Sequence, residues 1–198
     1  PLVPETFQTR VVAARMLGPR VRHLTFERTD GQPFVFDAGQ WVQLIFPLQD
    51  EKGRAIRRSY SVASAPDSSP RFELAVTKVE AGPGSTFLHD VAVGTSLDVK
   101  GPADTFTRPL ESAAPSLFIA TGTGVAPFRG MVRQALAAGR TEPLWLLFGV
   151  RAPDELLFGD ELTALAAQHP NFRFLPSLSR PPADWTGRDG YVQTHVKA

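Results

Sequence analysis

The sequence has no cysteine. Disulfides, thiolate nucleophiles, zinc ribbons and cysteine-ligated iron–sulfur clusters are thereby excluded, so any redox chemistry must come from an organic cofactor. Long apolar runs are missing too: the longest, Leu144 to Phe148 (LWLLF), falls far short of the roughly 18–20 residues a membrane helix needs. The opening stretch PLVPETFQTR lacks a signal-peptide pattern, and the expected compartment is the cytoplasm. Neither sign of charge dominates. Twenty-one basic residues against 20 acidic leave a formal charge of +1, which gives no electrostatic case for a nucleic-acid partner.

What is present is an ordinary globular composition of 198 residues, 42% of them hydrophobic, with 18 Pro and 16 Gly. Two halves with different rhythms follow one another. Up to about residue 102, short stretches rich in Val, Phe, Leu and Thr read as strands: Thr6 to Leu17, Arg22 to Glu27, Trp41 to Phe46, Ser59 to Ala63, Phe72 to Val79 and Leu97 to Val99. Turn residues separate them, and a brief helix is expected over Ser85 to Val91. That spacing predicts a small, nearly closed antiparallel barrel.

Beyond the loop Ala103 to Pro115 the pattern alternates. Strands are expected at Leu117 to Ala120, Leu144 to Val150 and Phe172 to Leu175, with helices at Phe128 to Ala138 and Asp160 to Gln168. Strand–helix alternation implies a parallel sheet with crossover helices. The boundary is placed near residue 110, giving a barrel domain of 1–110 and an α/β domain of 111–198.

Four constellations carry chemical meaning. In Arg58-Ser59-Tyr60-Ser61, Arg58 and Tyr60 share one face of a strand and the serines the other; an arginine fork, a flat ring and small hydroxyls suit a flavin nucleotide, though a solvated edge strand reads the same way. Gly82-Pro83-Gly84-Ser85-Thr86 opens a helix and could turn backbone N–H groups towards a diphosphate, or be a plain serine-capped start. Gly122-Thr123-Gly124 lies between a strand and a helix with Pro127 in the first turn, where dinucleotides bind; a tight turn is the competing view. Ser179-Arg180, followed by Arg188 and Tyr191, could hold a ribose phosphate and adenine, or be surface residues. His23, His89, His169 and His195 show no ligand spacing, so no metal site is expected, and His89-Asp90 reads as a helix surface pair. The carboxylates Asp154-Glu155 and Asp160-Glu161 open expected helices, where the dipole favours them.

The ordered set R-x-Y-S-x-x-S, G-x-x-S-x-F-L, G-P, G-T-G-x-A-P, F-G-V-R, S-R and G-Y-V resembles the ferredoxin:NADP reductase superfamily over roughly residues 8 to 196. The resemblance implies a flavin-binding Greek-key barrel followed by a Rossmann-like nucleotide domain, with FAD favoured over FMN and NAD(P)H as substrate. By the same comparison Arg58 is the flavin phosphate ligand, with Ser59 beside it, Tyr60 packs on the isoalloxazine, and Ser61 lies near the reactive N5. Val76 and Lys78 border the ribityl region, and Gly84, Ser85 and Thr86 form the pyrophosphate turn. Gly122, Thr123 and Gly124 match the loop that carries the pyrophosphate of the nicotinamide nucleotide, with Thr123 also near the flavin. Gly149, Arg151, Ser179, Arg180 and Arg188 face its ribose and adenine end. Tyr60, Ser61 and Thr123 thus sit at the reaction centre, where they orient rather than react.

The implied activity is hydride transfer from NAD(P)H to FAD N5, with electrons passed to a separate acceptor such as a ferredoxin, a flavodoxin or a small oxidant. Family members usually continue for some tens of residues with a C-G-x-x-x-M-like segment that shapes the nicotinamide pocket, and nothing here corresponds. The alternative expectation is therefore a flavin-holding module or fragment that needs another chain to turn over.

Overall fold

The computed structural model describes residues 4–104 and 106–196. Strands β1 (Glu5–Gly18), β2 (Val21–Arg28), β3 (Trp41–Gln49), β4 (Ala55–Ser61) and β5 (Arg71–Thr77) are followed by helix α1 (Pro83–Asp90) and strand β6 (Ser96–Ala103). They form one antiparallel sheet in the order β4-β3-β6-β1-β2-β5. Alternation drives it: Val42, Leu44 and Phe46 of β3 point inward between exposed or half-buried neighbours. Register shifts in β1, after Val11 and after Met16, mark bulges that let this long strand coil around the core. Inside, Phe72 stacks on Phe26 with ring centroids 5.4 Å apart and tilts against Phe34 at 4.7 Å. The edge strands meet at one end, where the Ala63 N–H donates to the Glu73 carbonyl (2.8 Å) and the Glu73 N–H to Ser64 Oγ (3.1 Å).

The second sheet is parallel, in the order β10-β9-β8-β7, and is built from β7 (Ser116–Thr121), α2 (Val125–Ala137), β8 (Leu144–Val150), α3 (Gly159–Gln168), β9 (Phe172–Leu178) and β10 (Arg188–Asp189). Helix α2 ends in a Schellman turn: Gly139, at φ +69°, donates to the Leu136 carbonyl and Arg140 to that of Ala135. Both helices feed one core with Phe118, Leu146 and Phe148, while Leu117, Ile119 and Trp145 of the sheet are exposed. Among the described residues no helix is long and apolar enough to cross a membrane.

The expected element order holds, with shifts of physical origin. β4 begins at Ala55 rather than Ser59 and ends at Ser61, because its ladder with β3 starts directly after the Asp50–Gly53 turn, at Gln49 opposite Ala55. Its exposed Arg57, Arg58 and Ser59 hid that pairing from a hydropathy reading. Val62 and Ala63 are buried beyond the ladder, the Val62 N–H donating to the Gln40 carbonyl. Helix α2 starts at Val125, ahead of Pro127, and the last turn, Val192–His195, is 3-10. The two-residue β10 carried no hydrophobic signature.

The halves share a core. Ala38, Ala63 and Ala75 of the barrel belong to the same buried cluster as Val125 and Met131 of α2, small residues that let the helix lie close against the barrel wall. Within this contact the Glu73 carboxylate receives Arg129 Nη1 (2.5 Å) and His23 Nε2 (3.2 Å). Burial by itself would raise the Glu73 carboxyl; the His23 hydrogen bond and the Arg129 charge outweigh it and lower the group to about 2. A carboxyl depressed by folding contributes stability that is fully present above its unfolded value, about 4.3, and is lost as pH falls towards the folded one. The ionised form of Glu73 is thus the one the fold favours, and that advantage is lost between about pH 4.5 and pH 2. In urea titrations across that range, Glu73→Gln is expected to be less stable at neutral pH and to lose less on acidification than the wild type; parallel pH profiles for the two proteins would refute the assignment.

Candidate functional site

The parallel strands all run their carboxyl ends to one edge, where open α/β sheets bind ligands. There the chain uses small residues. Gly122 follows β7 at φ +51°, a left-handed conformation that side chains resist. Near the end of β8, a Cβ on Gly149 would lie 2.8 Å from Val192 Cβ. β9 is fastened to the following segment by Ser177, whose hydroxyl donates to the Gly190 carbonyl (2.8 Å) and lies 3.0 Å from His195 Nε2. A cavity of about 490 Å³ opens here, within the usual range for small-molecule sites. Gly122, Gly149, Ser179 and Tyr191 line it from the α/β half; Thr77 and Lys78, at the end of β5, line it from the barrel. Arg20 and Arg151 bring further positive charge to its wall, against Glu80 and Glu155, the latter accepting from the Arg151 N–H (3.1 Å).

Arg151, Ser179 and Arg180 are brought together as the β8–β9 ladder runs on past the strands: the Ser179 N–H donates to the Val150 carbonyl (3.0 Å) and that of Arg180 to Arg151 (2.8 Å). Arg188 is exposed on β10, and its carbonyl accepts from the Trp185 indole (2.9 Å). Thr123 and Gly124 complete the 3-10 turn Gly122–Gly124, and Thr123 Oγ1 approaches Thr77 Oγ1 of the barrel at 3.5 Å.

The barrel face carries a second group. Arg58 is exposed on β4 and Tyr60 packs against the barrel core. Burial pushes the Tyr60 phenol up to about 12 against the pull of the Arg58 charge, so the ring is neutral at working pH. Ser61 is half-buried at the strand end and Ser59 exposed. Helix α1 starts directly over this strand: a Cβ on Gly84 would sit 3.0 Å from the Phe46 ring and 3.2 Å from Arg58 Cγ, so glycine permits the approach. The helix's bonded amides begin with Thr86, which donates to the Gly82 carbonyl, and the amides of Gly84 and Ser85 precede it at the positive end of the dipole. An arginine, a neutral aromatic ring and a glycine-cleared helix start on one surface fit an elongated anionic nucleotide.

Two sequence-selected side chains have other occupations. Ser85 Oγ is buried; it accepts from the Val79 N–H (3.1 Å) and lies 3.1 Å from the Gly82 carbonyl, so it braces the turn. Val76 is buried in the barrel core, and its carbonyl is taken by His89. His89 corrects the surface-pair expectation: its Nε2 bonds the Val76 carbonyl (2.9 Å), and its own carbonyl accepts from Arg22 (2.7 Å), pinning α1 to β5 and β2. Sequence reasoning missed Thr77 and Arg20, which show no motif, and Arg129. Arg129 did carry a signal, a charge on the helix stripe of Val125, Val132 and Leu136.

Comparison with known proteins gives the same division. The model of the oxidoreductase FAD-binding domain matches residues 8–107, and that of the oxidoreductase NAD-binding domain matches residues 118–198. The chain is 53% identical over 192 residues to ferredoxin–NADP reductase B of Sorangium cellulosum, covering 97% of this chain and 78% of that one. It is 31% identical to the phenol hydroxylase P5 protein of Acinetobacter pittii, over 97% of this chain but only 53% of the relative. Among solved structures, the Amycolatopsis cytochrome P450 reductase GcoB superposes with a TM-score of 0.84 at 29% identity, over 98% of this chain and 57% of that one. A ferredoxin NADP+ reductase from Neisseria gonorrhoeae with bound FAD and NADP superposes with a TM-score of 0.77 at 27% identity, over 93% and 72%. An FAD-binding antiparallel unit followed by an NAD-binding parallel one, with these relatives, means that the chain belongs to the ferredoxin:NADP reductase superfamily of FAD/NAD(P)-binding oxidoreductases.

Proposed function

We propose that this chain is a flavin-dependent NAD(P)H oxidoreductase, with FAD held on the barrel of residues 1–110 and NAD(P)H entering along the carboxyl edge of the sheet in residues 111–198. The observation that carries the reading is the shared cavity, in which barrel residues Thr77 and Lys78 face Gly122 and Gly149 of the parallel sheet. When bound, FAD supplies the chemistry: it takes two electrons as hydride and can release them singly to an acceptor.

The chain's own residues bind and orient. Arg58 neutralises phosphate, the amides of Gly84 and Ser85 face the diphosphate with Thr86 beside them, and the neutral Tyr60 ring supports a flat heterocycle. Lys78 borders the linker of the nucleotide, with Val76 behind it in the barrel core. Ser61 and Thr123, one from each half, flank the reaction centre. Gly122 and Gly124 leave the turn bare on either side of Thr123, so a nicotinamide can be laid down within the roughly 3–3.5 Å that hydride transfer demands. Arg151, Ser179, Arg180 and Arg188 hold the far ribose and its phosphate. The acceptor is a redox protein of the ferredoxin or flavodoxin kind, or a small oxidant, and a cytoplasmic setting goes with that reading because reduced pyridine nucleotide is supplied there.

Anaerobic mixing with NADPH or NADH is expected to bleach the visible flavin absorbance; a yellow protein that neither nucleotide bleaches would refute turnover. Arg58→Ala is expected to weaken FAD binding by about 1.5–3 kcal/mol, a rise in Kd of roughly 10- to 150-fold in a titration of the apoprotein. An unchanged Kd would put the phosphate elsewhere. Because Ser179, Arg180 and Arg188 suit a 2'-phosphate, Arg180→Ala is expected to lower kcat/KM at least about 10-fold more for NADPH than for NADH. Equal losses for the two nucleotides would remove Arg180 from that role.

A further inference from the structure

The two rings of the proposed reaction are held by different halves of the chain, one by β4 and the other by the turn Gly122–Gly124. Their spacing therefore depends on what fixes α2, which leaves that turn at Val125, against the barrel. Arg129 lies one turn along this helix, about 6 Å from its start at 1.5 Å per residue, and only 4% of it is exposed. One side of its guanidinium reaches into the barrel: Nη1 donates to the Ala63 carbonyl (2.8 Å), two residues beyond Ser61, and to Glu73 Oε2 (2.5 Å) on β5. The other side reaches α3, with Nε donating to Glu161 Oε1 (3.0 Å) and Nη2 to Glu161 Oε2 (2.9 Å). The plane rests on the Phe158 ring, 4.3 Å from its centroid.

The residues on either side of Arg129 serve the same contact. A Cβ on Gly130 would lie 2.8 Å from the Ser64 carbonyl, so glycine lets α2 press against the strand that has just left β4. Met131 in turn reaches the barrel at Gly39, φ +107°, where a Cβ would fall 2.5 Å from its Cε and closer still to the Phe106 carbonyl. The four oxygen atoms bonded to Arg129, supplied by three groups, lie on two sides of it, an arrangement that a planar fork satisfies and a lysine ammonium does not. Stability alone does not call for such a residue, since buried ion pairs are often no more stabilising than apolar side chains of similar volume.

We propose that Arg129 is a positioning residue for hydride transfer: by tying α2 to Ala63 and Glu73 on one side and to Glu161 on the other, it sets the height of Gly122-Thr123-Gly124 above the end of β4. The inference rests on the functional reading above and adds to it a residue that touches neither nucleotide. Since a misplacement near 1 Å costs on the order of 100-fold in rate, loss of the fork should appear in the chemical step and not in flavin affinity.

The test uses FAD-loaded wild type, Arg129→Met, Arg129→Lys and Glu161→Gln. Flavin reduction is followed at saturating NAD(P)H, with the flavin Kd measured in parallel. Arg129→Met is expected to reduce about 100-fold more slowly with its Kd unchanged within about two-fold, Arg129→Lys to be rescued only partly, and Glu161→Gln to fall between. Because the chain has no cysteine, Lys52→Cys on the β3–β4 turn and Ala137→Cys at the end of α2 take spin labels at those two places only. Their distance distribution, measured without nucleotide, is expected to broaden or shift in Arg129→Met. Where Arg129→Met fails to fold, Arg129→Lys and Glu161→Gln are read in the same two assays. Wild-type reduction rates in the folded variants, or slow reduction with an unchanged distance distribution, would overturn the inference. A wild type that neither nucleotide reduces would defeat the functional reading instead, and the distance distribution would still decide whether Arg129 sets the geometry of the two halves.

Discussion

Helix α2 is buried on two sides at once, by the parallel sheet it crosses and by the barrel it lies against, and most of the molecule's organisation follows from that double contact. Its sheet-facing stripe is conventional: Val125, Val132 and Leu136 lie at helical spacing and pack with Phe118 and Leu146. The barrel-facing side is made from unusually small parts. Ala38, Ala63 and Ala75 on one partner and Gly130 on the other bring backbone near backbone, and the buried Arg129 in that seam has a partner for each side of its fork. A buried guanidinium is tolerable only when paired and hydrogen-bonded, so Glu73 and Glu161 on either side are as necessary as the arginine.

This contact places the carboxyl edge of the parallel sheet beside the open end of β5. A parallel sheet gathers its loops at one edge whatever surrounds it; a barrel strand must also end there to form a site with two chemically different walls. Lys78 and Arg20 reach the cavity from the barrel, and Arg151 and Ser179 from the sheet, so both halves contribute to a cleft suited to an anionic dinucleotide. The barrel's other surface, with Arg58, Tyr60 and the start of α1, lies on strands and a helix held by their own hydrogen bonds, including the His89 link to Val76. Elements held in this way keep the side chains they carry in fixed positions.

Much of this could be read along the chain because the signals are local. Leu144–Val150 is an unbroken apolar strand, β3 alternates, and Gly122-Thr123-Gly124 falls between a strand and a helix. β4 was harder to delimit, as Arg57, Arg58 and Ser59 are exposed and only pairing with β3 makes them a strand. Ser85 shows the limit of motif reasoning: its place at a helix start suggested a ligand, whereas its hydroxyl is engaged with Val79 and Gly82. His89 shows the converse, a side chain without a motif that fastens a helix to the barrel.

Hydrophobic period, turn chemistry and the order of the glycine motifs, all written within a few residues of one another, are enough to determine from the sequence that an antiparallel unit precedes a parallel one, and which strand ends carry the nucleotide-binding pattern. Tertiary structure decided the rest: which small residues meet across the seam, that Thr77 lies opposite Thr123, and that Arg129 joins Ala63, Glu73 and Glu161, groups 66, 56 and 32 positions away. Contacts between residues so far apart in the chain exist only once both sheets are packed, because no local periodicity encodes which distant carbonyl a buried guanidinium will reach.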